Sequence, residues 1–197
     1  NLVALDAWLR AEHGYAGSAS AVRRYIGTLK PAGEVFVPLV FGPGEEGQVD
    51  FGEAWAVVNG VERTVVLFCV RLCHSRAWFV KAYERGNLES FLDGHVLALE
   101  FFGGVPTRTS YDNTTIAVKK VVGRERELTR EFLRLESHFL FAHHFCRVGR
   151  GNEKGVVEGL VGYGRRNTMV PVPEFASFAA LNTYLEGCCL GDLTRRV

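Results

Sequence analysis

No stretch of about 18 residues in this chain is apolar throughout and free of charge, so a membrane-spanning helix is not expected. Charge of one sign is also missing. The 23 basic and 22 acidic residues leave a net +1, which excludes a protein that holds nucleic acid by bulk charge alone. Cysteine is sparse: Cys69, Cys73, Cys146, Cys188 and Cys189 form no C-x-x-C pair and are odd in number. A disulfide-built fold is therefore excluded, and reduced thiols in a cytoplasmic setting are expected. A zinc site drawn from Cys69, Cys73, His74, His143, His144 and Cys146 follows no standard ligand spacing, and core cysteines are the simpler reading. The opening Asn1-Leu2-Val3-Ala4 has no basic stretch leading into an apolar one, so no secretory signal is read. There is neither an internal repeat nor a low-complexity tract. The chain lacks an initiator methionine, and Thr194-Arg195-Arg196-Val197 ends a helical pattern abruptly, so a piece of a longer chain is expected.

What remains is 197 residues, 47% of them hydrophobic, enough for one ordinary domain and a small appendage. The pattern divides into a helical segment (1–30), a linker (31–46) and a main domain (47–197). In the first, Leu2, Leu5, Trp8 and Leu9 recur at helical spacing. A break at Gly14 to Gly17 follows, and Ser18 is a good cap for a second helix with Val22, Tyr25, Ile26 and Leu29 on one face. Arg23 and Arg24 project from the other side, so a DNA-binding helix-turn-helix and a plain helical hairpin both fit. Residues 31–46 are rich in Gly and Pro and read as an extended connection.

In the main domain, 48–58, 61–72 and 77–83 read as strands, with Asn59-Gly60 as a hairpin turn. Residues 88–102 have helical spacing, a cap at Asn87 and a stop at Gly103-Gly104. A strand over 106–111, a helix over 125–138, a strand over 139–145, and helices over 156–166 and 175–189 complete the pattern. The order βββαβαβα, with one more helix, is that of the ribonuclease H fold: α/β, a mixed five-stranded sheet flanked by helices.

Three carboxylates stand out against this frame. Asp50 interrupts an apolar first strand, where it loses solvation and needs a partner, and a cation is one solution. Asp112 falls just past the fourth strand, on the side where sites gather in open α/β sheets. If strands one and four are neighbours, the two aspartates repel unless a divalent ion lies between them. Glu158 lies one turn into the helix anchored by Val156, Val157 and Leu160, and could point at both. Glu153, in the preceding Gly-rich loop, competes for the third place. Taken singly, each fits a structural role; together they form a set. Three hard oxygen ligands suit two Mg²⁺ or Mn²⁺ ions rather than zinc, the arrangement that stabilises attacking and leaving oxygens in phosphoryl transfer. Lys154, Arg165 and Arg166 flank Glu158 and suit a phosphate substrate.

Gln48-Val49-Asp50-Phe51-Gly52, Tyr111-Asp112-Asn113 and the segment Gly151-Asn152-Glu153-Lys154-Gly155-Val156-Val157-Glu158 together resemble the three signature segments of IstA-type insertion-sequence transposases. These belong to the retroviral integrase superfamily, and the resemblance covers about residues 47–170. It implies a DDE triad at Asp50, Asp112 and Glu158, and a helix-turn-helix at residues 2–30. The gap of 45 residues between Asp112 and Glu158 is longer than in retroviral integrases. Within it, Lys119, Lys120, Arg124 and Arg126 are candidates for DNA phosphates, or form a solvated loop. The resemblance further implies cleavage at the ends of a mobile element, joining of the 3′-ends to target DNA, homo-oligomers on paired ends, an AAA+ ATPase helper and a bacterial, nucleoid-associated setting. Against that family, the chain is expected to be a piece without the upstream end-binding region and the downstream domain. Two other readings share parts of the pattern: a ribonuclease H-like nuclease that does not join strands, and a non-catalytic DNA-binding module.

Overall fold

The computed structural model describes residues 2–29, 40–111, 118–122, 125–146 and 160–194. Contacts divide the chain into two units, 1–39 and 40–197. In the first, α1 (Leu2–His13) and α2 (Ala19–Leu29) are joined by a turn. Gly14 is left-handed there, and Arg10 donates to the Gly17 carbonyl at 2.7 Å. Ser18 Oγ accepts from Ala21 N at 3.2 Å and starts α2. Val22 is buried as its spacing predicts. Trp8 and Tyr25, read as members of the same apolar faces, are 51% and 64% exposed, and Leu5 is exposed as well. The cause is arithmetic: two short helices cannot cover two full apolar stripes.

The second unit is organised by one long hairpin. β1 (Glu46–Val58) and β2 (Val61–Leu72) pair in register from Gly47↔Leu72 to Val58↔Val61. Asn59 and Gly60 both have positive φ, 54° and 70°, as a two-residue type I′ turn demands. β3 (Trp78–Tyr83) runs antiparallel to β2 at the outer edge. α3 (Leu88–Phe102) then carries the chain across the sheet. Asn87 Oδ1 accepts from Ser90 N, Ser90 Oγ accepts from Asn87 N, and left-handed Gly103 ends the helix. β4 (Arg108–Tyr111) lies parallel to β1 on the side away from β2, and β7 (Ala142–Phe145) lies parallel to β4.

The sheet order is β3-β2-β1-β4-β7, a mixed sheet of the expected ribonuclease H-like kind. A two-residue strand, β8 (Glu174–Phe175), pairs with Val57 and Val58 and makes a sixth member. Between β4 and β7, β5 (Val118–Val122) and β6 (Glu125–Leu128) form a separate hairpin. The expected helix over 125–138 therefore starts later, as α4 (Arg130–Phe139), because Thr129 Oγ1 accepts from Phe132 N and caps it there. α5 (Leu160–Thr168) and α6 (Phe178–Thr194) follow, with Ser177 Oγ accepting from Ala180 N at the start of α6.

Strand alternation sends side chains to two cores. Val49, Phe68, Val70 and Phe79 pack with Phe91 of α3, Phe132 of α4, and Tyr111 and Phe141. Ala54, Ala56, Val58, Leu67, Cys69 and Val80 pack with Val161 of α5 and with Leu181, Leu185 and Cys189 of α6. Tyr163 Oη donates to Asp192 at 3.0 Å and ties α5 to α6. Asn182 of α6 meets the backbone of edge strand β3 twice: Ala82 N–H donates to its Oδ1 at 2.7 Å, and its Nδ2 donates to the Ala82 carbonyl at 3.0 Å.

One polar side chain lies inside the aromatic core. His95 is 3% exposed, with Nδ1 2.6 Å from the Phe91 carbonyl and Nε2 3.0 Å from Tyr111 Oη. Burial pushes its pKa down to about 4, against a weaker upward pull from the Phe91 carbonyl. Below about 6.5 the unfolded chain takes up a proton that the folded chain refuses until about pH 4. Stability is therefore present above that window and lost as pH falls through it, by about 3 kcal/mol in all. A His95→Gln variant is expected to show a flatter fall in denaturation midpoint between pH 6.5 and 4.5. Parallel curves for the two proteins would contradict this.

Candidate active site

Asp50 lies in β1, the strand that pairs with both β2 and β4. The parallel pairing with β4 runs from Glu46↔Arg108 to Val49↔Tyr111, so Asp50 is the first residue of β1 past it among the described residues. On the other side Asp50 remains opposite Cys69 of β2. Alternation places it on the face of the sheet that α5 and α6 cover. Cys69 senses the charges there. Its thiol is pushed far above the ordinary value, first by burial, then by the Asp50 carboxylate and Cys189, while Arg165 of α5 pulls it down. Asp50 and Arg165 thus act on the same buried point.

Two contacts fix this corner of the sheet. The first is a buried carboxylate at the start of β1. Glu46 is 6% exposed and accepts from Arg108 Nε at 2.7 Å and from Ser110 Oγ at 2.9 Å, with a further contact to the same guanidinium. Arg108 and Ser110 both belong to β4, so the cluster clamps the parallel pairing that leads up to Asp50. Glu46 also raises the nearby Cys73 thiol, which burial chiefly drives up to about 12. The second contact is at Gly52. A Cβ added there would overlap the Val161 side chain in the first turn of α5. Glycine at this position lets the helix dock directly on β1, two residues from Asp50.

Of the other candidate residues, Asp112, Glu153, Lys154, Glu158 and Arg124 lie outside the described residues. Lys119, Lys120 and Arg126 belong to the β5–β6 hairpin, and their side chains are likewise not described. Arg165 and Arg166 are exposed in the last turn of α5, and Arg23 and Arg24 are exposed on α2. Arg165 borders a cleft of about 500 Å³ lined by Phe51, Gly52, Glu53, Val66 and Gly86. Among the described residues no three His, Cys, Asp or Glu side chains form a metal-holding group. The imagined zinc set is dispersed: Cys69 is buried under α5 and α6, His74 Nδ1 meets the Phe41 carbonyl, and His143 meets Glu136. The Glu46 clamp and the role of Gly52 were not anticipated from the sequence, although Gly52 sits in the same short motif as Asp50.

No family model matches the chain. A transposase of Aminobacter aminovorans is 41% identical over 155 residues, covering 78% of this chain and 30% of the relative. The transposase for insertion sequences IS1326/IS1353 of Pseudomonas aeruginosa is 38% identical over 155 residues, covering 78% and 31%. Among solved structures, the simian T-cell lymphotropic virus intasome in complex with PP2A regulatory subunit B56 gamma aligns with a TM-score of 0.56 at 13% identity, over 86% of this chain and 60% of that one. The HTLV-2 integrase catalytic core domain in complex with magnesium, in its trimeric form, aligns at 0.50 and 15% identity, over 75% and 86%.

By fold, then, the main unit shares the mixed sheet and flanking helices of the retroviral integrase catalytic cores, a ribonuclease H-like arrangement. By sequence, the chain is homologous to the transposases of the IS21/IS1326 family. It spans about a third of the length of the first two relatives.

A Gly52→Ala substitution is expected to push α5 off β1 and destabilise the protein by about 1–3 kcal/mol, as overpacking does. Adding Val161→Ala should restore much of the loss by making room. Denaturant midpoints of the two single variants and the double variant check this, and strictly additive losses would refute the contact.

Proposed function

We propose that this chain is the catalytic core of an insertion-sequence transposase, which cuts donor DNA at the ends of a mobile element and joins the 3′-ends to target DNA. The observation that supports the proposal is the place of Asp50: on β1, next to Val49, which pairs with Tyr111 of β4, the residue that precedes Asp112 in the sequence. Tyr111 faces the α3–α4 core, and Asp50 lies on the opposite face of the sheet. Glu158 precedes Val161 by three residues, and Val161 docks at Gly52.

On this reading Asp50, Asp112 and Glu158 hold two Mg²⁺ or Mn²⁺ ions. Their carboxylate oxygens are the hard donors those ions prefer, and the HTLV-2 core domain that shares the fold was solved with magnesium. Bound there, such ions would activate a water or a 3′-hydroxyl and take up charge from the departing oxygen. The protein's own part is to fix the carboxylates on two adjacent strands and one helix. Arg165, Arg166 and Lys154 would meet the phosphates of the reacting strand, and Lys119 and Lys120 of the β5–β6 hairpin would meet those further off. Residues 2–29 would serve as a helix-turn-helix, with Arg23 and Arg24 on the DNA. Exposed Tyr25 adds an aromatic surface beside them. The full protein would work as a homo-oligomer on paired ends, with an AAA+ ATPase helper, at the bacterial nucleoid.

Asp50→Asn and Asp112→Asn should each lower cleavage of an end-bearing duplex by more than about 100-fold, since groups that only hydrogen-bond to a metal ligand are already worth about 10–100-fold. Both variants should also lose the Mn²⁺-dependent rise in Tm that the native chain is expected to show. Glu158→Gln should match them and Glu153→Gln should not; the reverse result would exchange their roles. Retained cleavage in Asp50→Asn would end the proposal. Joining of pre-cut ends separates a transposase from a nuclease that only hydrolyses. Independently, Arg23→Ala is expected to weaken DNA binding and reduce the slope of log K against log salt by about one. An unchanged slope would remove α2 from the DNA interface.

A further inference from the structure

We infer that Trp55 and Glu53 form a subsite for an unpaired DNA base that carries an exocyclic amine, next to a phosphate held by Arg165. This rests on the reading of Arg165 as a contact to the DNA substrate.

Two clefts meet along β1. The one beside Phe51 and Gly52 is described above. The other, of about 430 Å³, is lined by Trp55 and Thr64 of the hairpin and by Met169 and Val170 just after α5. Glu53 and Arg165 border both. The second cleft falls within the roughly 300–1,000 Å³ of small-molecule sites. Ala54 and Met169, both buried, close its floor. Trp55 is 56% exposed, and among the described residues no other ring packs on it. Arg165 is also exposed, and its guanidinium makes no hydrogen bond or ion pair among the described residues.

The chemistry of these side chains selects the ligand. An exposed indole offers a broad flat π surface, and an unengaged guanidinium offers a planar cation to phosphate oxygens. A nucleotide unit supplies a partner for each: a flat base and a charged phosphate. Stacking alone accepts any base, because every base has a π face. Glu53 narrows the choice. Its carboxylate only accepts, so it favours a base that presents an amine, and it repels a second phosphate. Cytosine presents its N4 amine where thymine presents O4, an acceptor. The base must be unpaired, since pairing and stacking in a duplex occupy both its amine and its faces. Trp55 lies five residues beyond Asp50, about 17 Å along an extended strand. The stacked base therefore belongs to a nucleotide a few removed from the phosphate under attack. An apolar protein partner would cover Trp55 and Val170 only by desolvating Glu53 and Arg165 without replacing their water.

The test uses the whole chain in a Trp8→Phe background, which leaves Trp55 as the exposed tryptophan and Trp78 as the buried one. Three labelled duplexes share one paired sequence: one is blunt, one has a short 3′ tail of cytosines and one a tail of thymines. Anisotropy of the label gives each Kd, tryptophan quenching reports stacking, and Tm checks that each variant is folded. The cytosine tail should bind about tenfold tighter than the thymine tail and quench the emission. Trp55→Ala should weaken the cytosine-tailed duplex roughly tenfold, narrow its advantage over the blunt one and abolish the quenching. Trp55→Phe, which keeps a ring, should retain much of the affinity. Glu53→Gln should erase the preference between tails, because a carboxamide can also donate to thymine O4. Equal affinity of the parent for all three duplexes, or an unchanged cytosine-tail Kd in folded Trp55→Ala, would overturn the subsite and leave the DNA reading standing. Loss of self-association in Trp55→Ala on sedimentation, with tail binding unchanged, would make the patch a protein contact and overturn it equally. If the parent binds none of the duplexes, the DNA reading fails first and the subsite falls with it.

Discussion

Everything placed around Asp50 depends on the short parallel pairing of β1 with β4. Among the described residues it runs from Glu46↔Arg108 to Val49↔Tyr111. Side chains reinforce it at both of these pairs. At the start, the buried Glu46 carboxylate gathers Arg108 and Ser110 of the neighbouring strand. At the finish, Tyr111 is caught by His95 in the opposite core. Removing one partner of either contact would leave a buried group unpaired, a much larger loss than the bond itself is worth.

The two faces of the sheet divide the labour. The α3–α4 face is built largely of aromatic rings and buries Tyr111 of β4. The α5–α6 face carries small and aliphatic residues along β1, and at Gly52 no side chain at all, so that a helix can approach closely. Asp50 opens onto the second face while the strand that neighbours it is anchored in the first.

Much of this frame could be read from the residues. Asn59-Gly60 marked the hairpin, Asn87 and Gly103 marked both ends of α3, and Asp50 drew attention because a lone carboxylate interrupts an apolar strand. The misreadings have local physical causes. Leu128, Phe132 and Leu135 share helical spacing, yet the spacing runs across the Thr129 cap, and residues 125–128 pair with β5 instead. β8 is two residues long and carries no periodicity to detect. Periodicity marked Trp8 and Tyr25 as apolar-face residues but could not say whether anything would cover them. Gly52 looks like any turn-former until Val161 is placed on it, and His95 reads as one more member of a helix face until Tyr111, sixteen positions away, comes within reach. Long-range partners of this kind leave no trace in local spacing.

The outer border of the sheet has its own consequence. A border strand offers an unfilled row of backbone donors and acceptors, on which foreign polypeptide can template itself. At Ala82 the carboxamide of Asn182 fills that row as a counterfeit peptide group, giving one bond and taking one. Any strand drawing up alongside β3 meets a position already satisfied, anchored to α6 rather than free to exchange. Copies of this molecule crowded together are thereby turned away from fusing their sheets at that point.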